Sequence, residues 1–173
     1  DDADLAIYRR SAQAMQKQLS QIWENRPSDT PLKSPYELLI LASIIEKETG
    51  RASDRSMVAA VFLNRLKLRM PLQTDPTVIY GIGPKFDGNL RKADLRKDSP
   101  YNTYMRNGLP PTPIAMPSKE SLLAAINPAQ TDAIYFVARG DGSSHFSKTL
   151  KEHESAVDQY QRNRKSSTQP SSK

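Results

Sequence analysis

Residues 34–50 constrain the fold more than any other stretch of the chain. Ser34-Pro35-Tyr36-Glu37 is a strong helix start: Ser34 can cap, Pro35 suits the first helical position, and Glu37 is the return arm of a capping box. The apolar residues that follow predict a helix over 35–48, with Gly50 as a natural stop. At about 100° per residue, Leu38, Leu41, Ile44 and Ile45 cluster on one side, which must pack against other elements. Glu48 follows Ile45 at i+3 and Ile44 at i+4, so it continues that buried side. Glu46 projects a third of a turn or more away, beside Leu39 and Ala42, and Lys47 points elsewhere.

A carboxyl group at the position of Glu48 is poorly hydrated. Burial disfavours the charged form and raises a carboxyl pKa. A carboxyl that keeps its proton near neutral pH is a general acid, which glycosidic bond cleavage requires. The plain alternative is a glutamate emerging at a frayed helix end, since most glutamates are solvated.

The rest of the chain reads as further helices and one hairpin. Residues 2–25 carry a loose apolar stripe of Leu5, Ile7, Ala12, Met15, Leu19 and Ile22. Ser53 or Asp54 can cap a helix bearing Met57, Val58, Val61, Phe62 and Leu66, with Pro71 as its end. Asp75-Pro76 opens a short helix through Tyr80. Residues 81–117 read mostly as loop, with Gly/Pro clusters at 81–84 and 108–113, and a loop of that length is often functional. Ser118 caps a helix that Pro128 closes. Residues 133–138 read as a strand, Gly140-Asp141-Gly142 as a turn and 144–147 as the return strand. Thr149-Leu150-Lys151-Glu152 is a second capping box, opening a final helix to about Arg164. The expected organisation is an N-terminal helix and linker over 1–33, a catalytic domain over 34–165, and a polar, Ser-rich disordered tail over 166–173.

The 173 residues contain no cysteine, which excludes thiol catalysis, cysteine-ligated zinc and disulfides. His145 and His153 are the only histidines, so no multi-histidine metal site and no cofactor are expected. The net charge of +6 attracts polyanions: nucleic acid, anionic lipid or a cell-wall polymer. No apolar run is long enough to span a bilayer. The chain opens at Asp1 and reads as a fragment or processed form.

Other residues are candidates for a site. Asp75 is most simply an N-cap, and the functional alternative makes it a second carboxylate of the kind hydrolysing glycosidases use. Tyr101-Asn102-Thr103-Tyr104 offers aromatic faces and polar groups suited to a sugar groove, or a loop anchored by a buried tyrosine. His145 lacks any nucleophile-elbow context and reads as packed in the sheet.

Several motifs occur together in order. They are Ala42-Ser43-Ile44-Ile45-Glu46-Lys47-Glu48-Thr49, Phe62-Leu63-Asn64-Arg65-Leu66, Leu72 to Gly81, Tyr101-Asn102-Thr103-Tyr104 and Gly108-Leu109-Pro110-Pro111. Tyr135-Phe136-Val137-Ala138, His145-Phe146 and Glu152-His153 follow. This set closely resembles the MltG (YceG-like) endolytic murein transglycosylases, from about Pro35 to Tyr160. The resemblance implies an α+β scaffold with a lysozyme-like active site. It implies a bacterial cell-envelope enzyme on the periplasmic side of the inner membrane, held by an N-terminal anchor, with a LysM-like region before the catalytic domain. The substrate it implies is the glycan strand of peptidoglycan, cut at the MurNAc–GlcNAc β-1,4 bond to leave 1,6-anhydro-MurNAc ends. It also suggests coupling to peptidoglycan synthases, and no nucleic acid as a partner. The family pattern has glycine where this chain has Thr112 and Ser118, departures that bear on loop shape.

The expected mechanism uses Glu48 alone, first as acid and then as base. Gln73, Thr74, Asp75, Tyr101, Asn102 and Thr103 are the expected substrate-binding residues. Two other classes stay open: a two-carboxylate muramidase using Glu48 with Asp75, and a non-catalytic module that binds glycan or nucleic acid through its positive charge.

Overall fold

The computed structural model describes residues 2–162. It is an α+β fold, mainly helical with one small antiparallel sheet. Helix α1 spans Asp2–Glu24, α2 Pro35–Glu48, α3 Ala52–Lys67 and α4 Asp75–Ile82. A 3₁₀ turn follows at Gly83–Lys85, then α5 at Lys92–Arg96 and α6 at Lys119–Ile126. Strands β1 (Tyr135–Ala138) and β2 (Ser144–Ser147) form the hairpin, and α7 (Leu150–Val157) runs on into a π-helical turn at Asp158–Arg162. The tail expected to be disordered and the last residues of the final helix lie outside the described residues.

Helix α2 is the centre of the core. Leu38, Leu41, Ala42, Ile44 and Ile45 are fully buried, and α1, α3 and α6 pack around them. Its burial extends round to Ile40 and Ser43, so α2 is covered on more than the one side its leucine and isoleucine spacing defines. Ser43 is accommodated there because its hydroxyl donates to Ile40 O (2.7 Å) and accepts from Ile114 N–H (3.0 Å). The second half of α1 belongs to the same core through Leu19 and Ile22, while most of its first half is exposed.

Local chemistry explains the helix ends, with some corrections to expectation. Ser34 caps α2 by accepting from Glu37 N–H, but the Glu37 carboxylate reaches one residue further back, to Lys33 N–H (2.7 Å). Helix α2 ends without using Gly50 as a left-handed stop. Thr49 leaves the helix in extended conformation (φ −142°) and its Oγ1 accepts from Arg51 N–H (3.0 Å). Neither Ser53 nor Asp54 caps α3, which begins earlier, after Arg51. The Asp54 carboxylate is turned instead to the hairpin, where it accepts from Ser144 N–H (2.7 Å). Helix α3 stops at Lys67, with Arg69 in the left-handed region, before Pro71 is reached. The expected N-cap Asp75 is the first residue of α4, and Thr74 holds the cap position without a side-chain capping bond. The segment read as loop over 81–117 contains α5, whose start is held by Asp94 accepting from Arg91 N–H (2.8 Å). Thr149 and Glu152 form both arms of the expected capping box on α7.

Beta pairing is short and in register, with Phe136 opposite Phe146 and Val137 opposite His145. Phe136 packs edge-on to Phe62 of α3 at 5.8 Å, which docks the hairpin on the helical core. Two neighbours on α3 fix the chain leading into β1. Asn64 donates to Thr131 O and Ala133 O, and Arg65 Nε donates to Ile134 O (2.6 Å).

Candidate active site

The C-terminal end of α2 opens into a cleft of about 540 Å³. Glu48, Gln73, Asp75 and Tyr104 line it from one side; Tyr135, Val137, Ser144, Leu150 and His153 from the hairpin and α7 line it from the other. Glu48 is partly buried, and Ile44 and Ile45, one turn before it on the same side, are fully buried. Its pKa is raised, first by burial and also by the nearby charge of Asp75. Thr74 works in the opposite direction: its hydroxyl donates to Glu48 Oε1, favouring the carboxylate, but not enough to reverse the effect of burial.

Glu46 has the opposite environment. Its Oε2 accepts from Ser118 N–H (2.9 Å), Ser118 Oγ (2.6 Å) and Ser121 Oγ (2.6 Å). Burial alone would raise its pKa, but these bonds and the charge of Arg55 outweigh it, so the pKa falls. Glu46 is an ionised tie between α2 and the start of α6, where a negative charge also meets the helix dipole favourably.

A hydrogen-bonded layer under the cleft holds Thr74 in place. Thr103 Oγ1 accepts from Thr74 N–H (3.0 Å) and bonds Thr77 Oγ1 (2.8 Å), and Gln73 N–H donates to Thr103 O (3.0 Å). Thr74, Thr77 and Thr103 are all buried. Asn102, 1% exposed, has its amide fully engaged. It donates to the carbonyls of Lys97 (2.7 Å) and Leu95 (3.1 Å) and accepts from Tyr104 N–H (2.9 Å). Tyr101 bonds Thr112 Oγ1 (2.8 Å) and packs against Tyr80 at 5.0 Å. Of the six residues expected to contact substrate, Gln73 and Asp75 thus reach the cleft wall. Thr74 reaches Glu48, and Tyr101, Asn102 and Thr103 lie beneath as support.

Tyr104, read from sequence only as part of the 101–104 quartet, lines the cleft, as do three residues not singled out as candidates: Arg65, Tyr135 and His153. Tyr104 donates to Asp75 Oδ1 (2.5 Å); burial, followed by that carboxylate, pushes its phenol pKa well up. Arg65 is 6% exposed and ties together the Pro71 carbonyl (2.9 Å), the Leu72 carbonyl (3.2 Å) and Gln73 Oε1 (3.1 Å). Gln73 is thereby held at φ +53°, a conformation uncommon for a non-glycine residue. Tyr135 and His153 stack on the far wall. Arg65 had a legible signal: it follows Val58 and Phe62 on the buried stripe of α3, where a charge needs partners.

A larger depression of about 810 Å³ lies between residues 27–31, α3 and residues 125–132. Its acids, Asp29 and Asp132, are exposed and paired with Lys67 and Lys148. Glu48, the carboxyl whose pKa burial raises, lies in the smaller cleft instead.

A model of the YceG-like family matches residues 1–159. The chain belongs to the YceG-like family. Proteins named endolytic murein transglycosylase are similar to it. The one from Bacillus subtilis is 51% identical over 127 residues, covering 73% of this chain and 35% of that protein. The one from Streptococcus pneumoniae serotype 2 is 36% identical over 150 residues, covering 83% and 27%. A solved YceG-like protein from Listeria monocytogenes superposes with a TM-score of 0.66 at 41% identity, covering 89% of this chain and 44% of that one. The chain therefore spans about a third of the length of the curated relatives it matches. No helix among the described residues is long and apolar enough to cross a membrane.

Proposed function

We propose that this chain carries the catalytic unit of an endolytic murein transglycosylase acting on peptidoglycan glycan strands in the bacterial cell envelope. The observation that carries the reading is Glu48: a carboxyl with raised pKa, in a cleft wide enough for saccharide, in a family whose relatives bear that name. Glu48 begins protonated and donates to the glycosidic oxygen as the C1–O4 bond breaks. The resulting carboxylate takes the proton of the MurNAc 6-hydroxyl as O6 attacks C1. The proton passes from O6 to O4 through one side chain, a C1–O6 bond replaces C1–O4, and no water is consumed. The product is a 1,6-anhydro-MurNAc end. Gln73 and Asp75 meet the saccharide directly, and Thr74 orients the acid. Tyr101, Asn102 and Thr103 act through the shape of the Tyr104 segment. Residues outside 34–165 would serve attachment and reach, on the periplasmic side of the inner membrane.

The test is mass spectrometry of the fragments released from uncross-linked peptidoglycan by the wild-type chain and by Glu48→Gln. Anhydro products, lost in Glu48→Gln, are expected. Reducing-end products would replace this mechanism by hydrolysis. One observation favours that second reading: Asp75 is not a cap, and its carboxylate lines the same cleft as Glu48. In a muramidase, Asp75→Asn would be as damaging as Glu48→Gln.

A further inference from the structure

The hairpin side of the cleft carries a second constructed feature. His153 of α7 lies over Tyr135 of β1, ring centroids 5.1 Å apart and planes 19° from parallel. The edge of the imidazole bearing Nδ1 is buried and Nδ1 has no hydrogen-bond partner. His153 lines the cleft, so the edge it can offer there is the one bearing Nε2. The stack on Tyr135 fixes the ring plane, and the guanidinium of Arg65 stands 5.1 Å from that same tyrosine ring. Burial first, and then the charge of Arg65, hold the His153 pKa below the ordinary imidazole range. The ring is neutral at neutral pH and carries one proton. A proton on Nδ1 would be a buried N–H with no acceptor, a rarer arrangement than an under-satisfied acceptor. The proton therefore belongs on Nε2, at the cleft.

We propose that His153, presented by Tyr135, is a saccharide-binding residue that donates its Nε2–H to an acceptor oxygen of a sugar flanking the bond that is cut. An acetamide carbonyl or a ring hydroxyl is the matching group. Leu150 and Val157 line the same wall and supply an apolar surface for a pyranose face, and Gln161 supplies a further polar group. An uncharged donor over an apolar floor suits an N-acetylated sugar, because a neutral acceptor does not need a counter-charge. This subsite rests on reading the cleft as a glycan site.

Steady-state cleavage of uncross-linked glycan strands by wild type, His153→Phe and His153→Gln tests it. Calorimetric titration of Glu48→Gln and of the Glu48→Gln/His153→Phe double variant with a GlcNAc–MurNAc oligomer runs alongside. Phenylalanine keeps the stack and deletes the donor; glutamine keeps an N–H donor and loses the stack. One lost hydrogen bond predicts about a tenfold rise in KM and in Kd for the phenylalanine variant, with a smaller change in kcat. The glutamine variant should recover part of that loss. Unchanged KM and Kd in the phenylalanine variant, with wild type cleaving, would overturn the subsite and leave the catalytic reading standing. A fall in kcat at constant KM would also overturn it, because the residue would then act in the transition state alone. Wild type that neither binds nor cleaves glycan overturns both.

Discussion

Thr74 donates its hydroxyl proton to Oε1 of Glu48. An oxygen that accepts a hydrogen bond is the carbonyl oxygen of a protonated carboxyl, so the proton to be transferred belongs on Oε2. Thr74 thus fixes which oxygen is the acid. Thr74→Val keeps the buried shape and removes the donor; Thr74→Ser keeps the donor. The valine variant should lose about 10-fold to 100-fold in kcat/KM, in line with the loss of one charge-assisted hydrogen bond of about 1.5–3 kcal/mol, and the serine variant much less. Kinetics on a soluble glycan substrate check this. Equal rates for valine and wild type would remove Thr74 from the mechanism.

The pH profile should carry the signature of the acid. Because Glu48 must be protonated, kcat/KM should fall as pH rises through its raised pKa. Asp75 is one cause of that elevation, so Asp75→Asn should move this alkaline limb to lower pH. Profiles of the two proteins measured side by side provide the check, and coincident limbs would deny the electrostatic coupling.

Burying Glu48 has a cost in stability whose sign depends on pH. The native state binds the Glu48 proton more tightly than the unfolded chain does. Stability therefore declines as pH rises above the unfolded carboxyl pKa, and the full penalty is present above the folded pKa. Glu48→Gln resembles the protonated form at every pH. It should melt higher than wild type at pH 8, with the difference vanishing at pH 4. Thermal denaturation at both pH values is sufficient, and a variant that melts lower at pH 8 would contradict the burial argument.

Glu46 should behave in the reverse way. Its lowered pKa stabilises the fold above the unfolded pKa, and that stabilisation is lost as pH falls through the folded pKa. Glu46→Gln weakens three bonds to Ser118 and Ser121 and should cost about 1–3 kcal/mol at pH 7. Ser118→Gly, which removes the hydroxyl and keeps the backbone N–H, should be destabilising in wild type and close to neutral in Glu46→Gln. A double-mutant cycle from denaturant melts measures the coupling.

The buried end of α2 was legible from spacing because apolar periodicity reports burial directly, and it placed Glu48 and Glu46 on different sides of the helix. The hairpin and both capping residues, Ser118 and Thr149, were equally legible because their bonds are local in sequence. What spacing could not reveal were bonds between distant segments. Asp75 looked like a cap because Asp-Pro suits one; its partner Tyr104 is 29 residues away. Asn102 looked like a sugar ligand, but the carbonyls that engage it belong to the turn of α5, which has too few residues to show a period. Pattern alone also missed Arg65 as a brace, since its acceptors lie on two separate loops.

The hydroxyls of Thr112 and Ser118 each have a partner, Tyr101 in one case and Glu46 in the other. Both partners support the cleft from outside it. These two ties fix the loops that carry Thr112 and Ser118, so those loops should yield less readily to strands of unusual shape.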